Sequence, residues 1–192
     1  MKKGTISLLF LMVLFSSNII MAQDKLNLSA EKSKVEIHGD SNVHKWEENA
    51  EEMTGSITAS LDNGNLQNIT SFELKIPVEG IESGKGAMND KTYKALKAKN
   101  HKNITMTLNN VDEIKSIGNG QYNVTATGSL TIAGTQKSIT FTAKATATSG
   151  SIKIQGELPI KMSEYNVEPP TAMMGAVKCY DDVNVKYELV LQ

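Results

Sequence analysis

The sequence predicts an all-β fold built as one antiparallel domain. Three observations carry that expectation. Apolar and polar residues alternate through segment after segment. Short turns rich in Asn, Gly and Asp separate the segments. Only one stretch has the composition of a helix. A strand sends successive side chains to opposite faces, so alternation gives each strand a dry side and a wet side. Sheets of that kind must close on another sheet, on themselves or on a ligand. A barrel and a sandwich both satisfy the pattern, and about eight to ten strands are expected.

Residues 1–22 read as a secretory signal peptide, cleaved after Ala22. Lys2 and Lys3 are its positive end, and Ile6 to Phe15 is an apolar run too short to span a membrane. Residues 23–192 are then a single exported domain. Lys34–His38 alternates with Val35 and Ile37 on one side, and Asn42–Trp46 is a weaker strand. Glu47, Glu48, Glu51 and Glu52 read as an acidic surface turn. Gly55–Leu61 alternates again, and Asp62-Asn63-Gly64-Asn65 has the chemistry of a turn. Ser71–Ile81 gathers Phe72, Leu74, Ile76 and Val78 on one face.

Met88–Asn100 is the helix candidate. Asn89 is expected to cap it, with Asp90 near its positive end and Lys97 and Lys99 near its negative end. Asn103–Asn109 sets Ile104, Met106 and Leu108 together. Asn109-Asn110 and Gly118-Asn119-Gly120 then bracket a short segment. Gln121–Ile132, with Tyr122, Val124, Ala126, Leu130 and Ile132 in register, turns at Ala133-Gly134 into Ser138–Ala147. There Ile139, Phe141, Ala143 and Ala145 share a side. Ser151–Met162 carries Ile152, Ile154, Leu158, Ile160 and Met162. After the irregular Ser163–Met174 come Val177–Tyr180, a turn at Asp181-Asp182, and Val183–Leu191 with Val185 and Tyr187.

Composition removes several functions. The 20 basic residues, less Lys2 and Lys3, leave 18 against 21 acids, a net charge of −3. That balance is too mild to imply a nucleic-acid partner, and none is expected. Every basic residue is lysine, so no guanidinium fork is present to grip a phosphate. Cys179 is alone and cannot form an internal disulfide; a buried, inert thiol is expected. No G-x-S-x-G or P-loop motif occurs. His38, His44 and His101 have no ligand spacing, so neither a metal site nor catalytic residues are expected.

Several stretches together resemble the YceI-like family. They are Ser33–Gly39 with His44 and Trp46; Phe72–Val78 with Met88, Asp90, Tyr93 and Leu96; His101–Leu108; Gly128–Lys137 with Ile139 and Phe141; and Met162 through Pro170 and Gly175 to Val185. The resemblance spans nearly all of the chain after residue 22. It implies an elongated, lipocalin-like antiparallel barrel of about eight strands with one short helix on a long connection. It also implies a periplasmic or secreted protein that is not an enzyme. Such a protein holds a polyisoprenoid or a similar amphiphile, such as an isoprenoid quinone, prenyl phosphate or fatty-acid-like chain, for storage or transport.

Reading the dry faces with that implication gives candidate lipid-binding residues. They are Phe72, Leu74, Ile76, Ile104, Met106 and Leu108, then Leu130, Ile139, Phe141, Ile152, Ile154 and Met162. Met173, Met174, Val185 and Tyr187 complete the wall. Trp46, Lys91, Lys94 and His101 are candidates for the head group or mouth. No cofactor is expected beyond a bound isoprenoid-type lipid. The expected partners are that lipid and, through the lysines, transient contact with a membrane surface; the oligomeric state is left open. The alternative is a ligand-free stress-response or interaction module whose interior is filled.

Overall fold

Three tight turns set the register of the sheet. Asn63-Gly64, Asn119-Gly120 and Ala133-Gly134 each place two successive residues at positive φ: 49° and 81°, 54° and 70°, and 48° and 82°. This is the type I′ hairpin, whose twist matches that of the flanking strands. In the computed structural model, which describes residues 23–192, these turns join long antiparallel strands. The expected signal peptide lies outside the described residues.

The strands are β1 (Asp24–Asn27), β2 (Lys34–Ser41), β3 (Trp46–Ala50), β4 (Thr54–Asp62), β5 (Asn65–Pro77) and β6 (Ile81–Glu82). After the helix α1 (Gly86–Ala95) follow β7 (Asn103–Gly118), β8 (Gln121–Ile132), β9 (Thr135–Thr148), β10 (Ser151–Lys161), β11 (Thr171–Ala172) and β12 (Val177–Leu191). They form one antiparallel sheet in the order β1-β4-β5-β7-β8-β9-β10-β12-β2-β3-β6, with β11 beside β12. The sheet curls so that the end of β1 also reaches β12. Asn27 and Gln192 exchange N–H···O bonds of 3.0 and 2.9 Å, and the Ser29 amide donates to the Val190 carbonyl at 2.9 Å. This seals the end of the half-barrel where β12 finishes.

The strand count is twelve among the described residues, not about eight. Strands β1, β6 and β11 are two to four residues long, too short to display a period. Two expected turns are absent. Asn109-Asn110 lies inside β7, where the pairing shifts between Leu108 and Asn110. Asp181-Asp182 lies inside β12, where it shifts between Cys179 and Val183. A bulge absorbs residues that favour turns and sharpens the twist without ending the strand.

The acidic turn is also corrected. Glu47 and Glu48 belong to β3, with Glu47 opposite His38 and Glu48 opposite Ile37. They therefore face opposite sides of the sheet. The helix ends at Ala95, because Lys97 turns left-handed at φ 56°. Asn89 does not cap it. Its Oδ1 accepts from the Ser83 amide at 2.9 Å and from Ser83 Oγ at 2.7 Å, tying the preceding loop to the helix.

Alternation is cleanest in β8, where Tyr122, Val124, Ala126, Leu130 and Ile132 are all buried. Near the sealed end Ile57, Ile152 and Leu191 are fully enclosed and pack with Leu26, Leu66 and Tyr122. The Ala133-Gly134 turn is pinned by His101, whose ring would stand 2.3 Å from a Cβ at Gly134. Gly150 has a similar φ of 81° with nothing within 4 Å of such a Cβ. Both substitutions to alanine pay the left-handed penalty of about 1–2 kcal/mol. Gly134→Ala is expected to lose at least about 1 kcal/mol more in urea denaturation, since it also displaces the ring. Equal losses would show that His101 yields freely.

Candidate ligand-binding cavity

The dry faces of the curled sheet do not meet in the middle. They enclose an inner cavity of about 170 Å³. Phe72, Leu74 and Ile76 of β5 line it, with Ile104, Met106 and Leu108 of β7. So do Leu130 of β8, Ile139 and Phe141 of β9, Ile154 of β10, and Val185 and Tyr187 of β12. Small side chains keep this space open, above all Ala126, Ala143 and Ala145. Those alanines, with Ile37, Ile57, Val124, Leu158 and Ile160, also line the wall and are not among the candidates. Their signal was present: each stands an even number of residues from another dry-face position on its strand.

Above this cavity lies an outer chamber of about 470 Å³, at the end where β12 begins. Trp46 and Glu48 of β3 wall one side, and Met88, Lys91, Thr92 and Ala95 of α1 another. Met162, Tyr165, Val167 and Met173 come from the irregular segment, and Cys179 and Val183 from β12. Ile37, Ile81, Ile104, Ile132, Ile160 and Val185 line both spaces, so the two are contiguous.

Not every expected residue reaches a wall. Ile152 is fully enclosed in the packed core near the sealed end. Met174 is wholly exposed, and Met173, though at the chamber, is 76% exposed. Both sit at positive φ, 51° and 54°, in a turn that aims them at solvent. Lys94 is exposed on α1, and His101 is committed to the Gly134 turn. Lys91 does border the chamber, but its ammonium donates to the Thr171 carbonyl at 2.6 Å and straps α1 to β11. Trp46 lies flat over Gly39, where a Cβ would come 2.0 Å from the ring. Its Nε1 donates to the Asp40 carbonyl at 3.2 Å.

The polar groups are few. Glu48 is buried at 2% exposure, and Thr92 Oγ1 donates to its Oε1 at 2.6 Å. Burial pushes its carboxyl above the usual carboxylate range, with the Thr92 bond opposing in part. Burial likewise raises the Cys179 thiol and holds it neutral. Tyr187 is pushed up to about 12 by burial alone, so its hydroxyl is a neutral donor inside the wall. On the opposite, wet face, ligand atoms of Glu36, His38 and Glu47 lie within 4.8 Å of one another. Lys34 already binds Glu36 at 2.6 Å, which makes this a surface charge cluster outside the cavity.

A family model described as the YceI-like domain matches residues 26–191. The chain belongs to the YceI-like family. Solved structures share its fold. Burkholderia cenocepacia BcnA is 25% identical, with a TM-score of 0.66 over 86% of this chain and 99% of that one. A polyisoprenoid binding domain from Saccharophagus degradans, implicated in plant cell wall breakdown, is 15% identical. Its TM-score is 0.68 over 87% of this chain and 97% of that one. The Campylobacter jejuni YCEI protein is 19% identical, with a TM-score of 0.56 over 76% and 84%. No curated protein matches the chain. In this YceI-like domain the helix, both cavities and all of the curled sheet except the start of β1 fall within the matched residues.

Tyr187 makes the wall sensitive to alkali. An unfolded phenol ionises near 10.0 and the folded one near 12, so ionisation favours the unfolded chain. Its stabilising contribution is complete below pH 10.0 and is lost as pH rises through 12. Thermal melts across that window are expected to fall less steeply for Tyr187→Phe than for the wild type. Parallel curves would remove Tyr187 as the cause.

Proposed function

We propose that this protein binds an isoprenoid-type lipid or a similar amphiphile, with the tail in the inner cavity and the head in the outer chamber. One observation carries the reading: a continuous hollow runs from a narrow, wholly apolar space into a wider one that holds a buried polar group. A chain entering the narrow part leaves water for apolar walls, worth roughly 25 cal/mol per Å². Methionines at the wall, Met106 and Met162, adapt to an irregular guest. The polyisoprenoid binding assigned to the Saccharophagus degradans domain of the same fold supports the same ligand class. The hollow interior disfavours the filled-core alternative.

Storage or carriage fits this geometry better than catalysis. Cys179 is held as a thiol, and Glu48 has no second carboxylate among the chamber residues. The pattern of residues 1–22 supports action in the periplasm or outside the cell. Loading at a membrane surface is part of the proposal. Lys85, Lys91 and Lys94 around α1 each contribute about 1 kcal/mol of attraction to an anionic bilayer when close to it.

Organic extraction and native mass spectrometry of the protein from its own host are expected to yield a prenyl-tailed lipid. A ligand-free protein that also fails to take up prenyl-tailed probes would sink the proposal. Filling the tail site gives a second test. Ala143→Leu adds three carbons inside the inner cavity. Tail affinity is expected to fall about tenfold while the melting temperature holds, since the added volume enters a void. Unchanged affinity would place the tail elsewhere.

A further inference from the structure

The outer chamber contains one group that its structural role does not use up. Three polar or charged residues are buried among the described residues: Ser41, Glu48 and Ser60. Ser41 lines the chamber but is spent. Its Oγ donates to the His44 carbonyl at 2.8 Å and accepts from the amides of Val43 and His44. Ser60 is not on the chamber wall. Glu48 accepts one hydrogen bond, from Thr92, and enters no ion pair among the described residues. A carboxyl has further capacity, as acceptor and, when it holds its proton, as donor.

No cation answers it. The neighbouring ammonium of Lys91 is engaged by the Thr171 carbonyl, and Lys85 stands exposed at the start of α1. A buried, unpaired carboxylate is costly, so burial favours the protonated form, which presents an O–H beside the Thr92-bound oxygen. Its complement is an uncharged oxygen acceptor. A phosphorylated head would meet a largely apolar wall, the one acidic side chain in the chamber lining and no guanidinium; the two lysines of the lining are exposed, and Lys91 is already engaged by Thr171.

We propose that Glu48 reads the head group: it donates a hydrogen bond to an uncharged, oxygen-bearing head such as a quinone carbonyl and turns phosphorylated tails away. The proposal rests on the tail-binding reading above and adds the class of head group and the residue that selects it. Affinity for such a head then falls as pH rises and Glu48 loses its proton. The other titratable groups around the chamber are His44 before β3, Lys85 and Lys91 at α1, Tyr93 on α1, Tyr165 in the irregular segment and Cys179 on β12.

The test uses delipidated protein and three probes with one tail: a prenylated benzoquinone, the prenyl diphosphate and the headless prenyl hydrocarbon. Trp46, the only tryptophan, lies in the chamber wall and reports quinone binding by quenching; the other probes compete. Wild type is expected to prefer the quinone to the diphosphate by about tenfold or more. Glu48→Leu is expected to lose about tenfold for the quinone, the equivalent of one hydrogen bond, and nothing for the hydrocarbon. Glu48→Gln keeps a neutral donor, so quinone affinity should stay within about threefold. Wild-type quinone affinity should decline as pH rises while that of Glu48→Gln stays flat. A diphosphate bound as tightly as the quinone, or a Glu48→Leu protein that binds quinone like wild type, overturns the assignment while leaving tail binding intact. Equal losses for quinone and hydrocarbon overturn it too, by showing a structural role. If even the hydrocarbon fails to bind, the tail-binding reading itself fails, and the role of Glu48 with it.

Discussion

A curled sheet whose concave face carries small side chains cannot fill its own interior. Ala126, Ala143 and Ala145 stand where strands β8 and β9 face the centre, and the surrounding Ile, Leu and Phe side chains do not reach across. Protein interiors are otherwise packed to crystal density, so an open apolar space must be sustained by the frame around it. Here the frame is the long run of antiparallel pairs, sealed at one end by Asn27, Ser29, Val190 and Gln192. The solid core is displaced to that end, where Ile57, Ile152 and Leu191 pack.

The other end is built differently. No residue of α1 is fully buried, and no side chain caps its first turn. Ten residues make a marginal helix on their own. Polar straps hold it: Thr92 to Glu48, Tyr93 to the Glu79 carbonyl at 2.9 Å, and Lys91 to the Thr171 carbonyl. Lys97 adds a bond to the Asn166 carbonyl at 3.0 Å just past the helix. One buried carboxyl thus serves as an anchor for the helix and as the polar centre of the chamber the helix covers.

Legibility in the sequence followed the strength of the local signal. Strand β8 alternates without interruption, and every one of its dry-face residues named from sequence is buried. The Asn63-Gly64 and Asn119-Gly120 turns are readable because Asn and Gly tolerate positive φ, whereas at Ala133-Gly134 only the glycine gives that signal. Asn109-Asn110 and Asp181-Asp182 have the same turn chemistry but sit in bulges, since pairing with both neighbours outweighs a local preference of about 1 kcal/mol or less. Met173 and Met174 read as lining residues by their chemistry, yet a left-handed turn points them outward. Glu48 reads as solvated with the other acids of its run, because a cluster of charges is ordinarily exposed.

The sequence by itself determined the all-β class, most strand faces, the hairpin turns and the absence of a guanidinium clamp, because each follows from neighbours along the chain. It also determined the YceI-like membership, now matched over residues 26–191. The tertiary structure alone decided how the strands curl, that the interior is hollow, and which charged residue enters it. Parity along β3 separates Glu47 from Glu48, but nothing local says which one points inward. That choice is made by the partners of β3: strand β2, whose Ile37 opposite Glu48 lines the cavity, and helix α1, which brings Thr92 to the carboxyl.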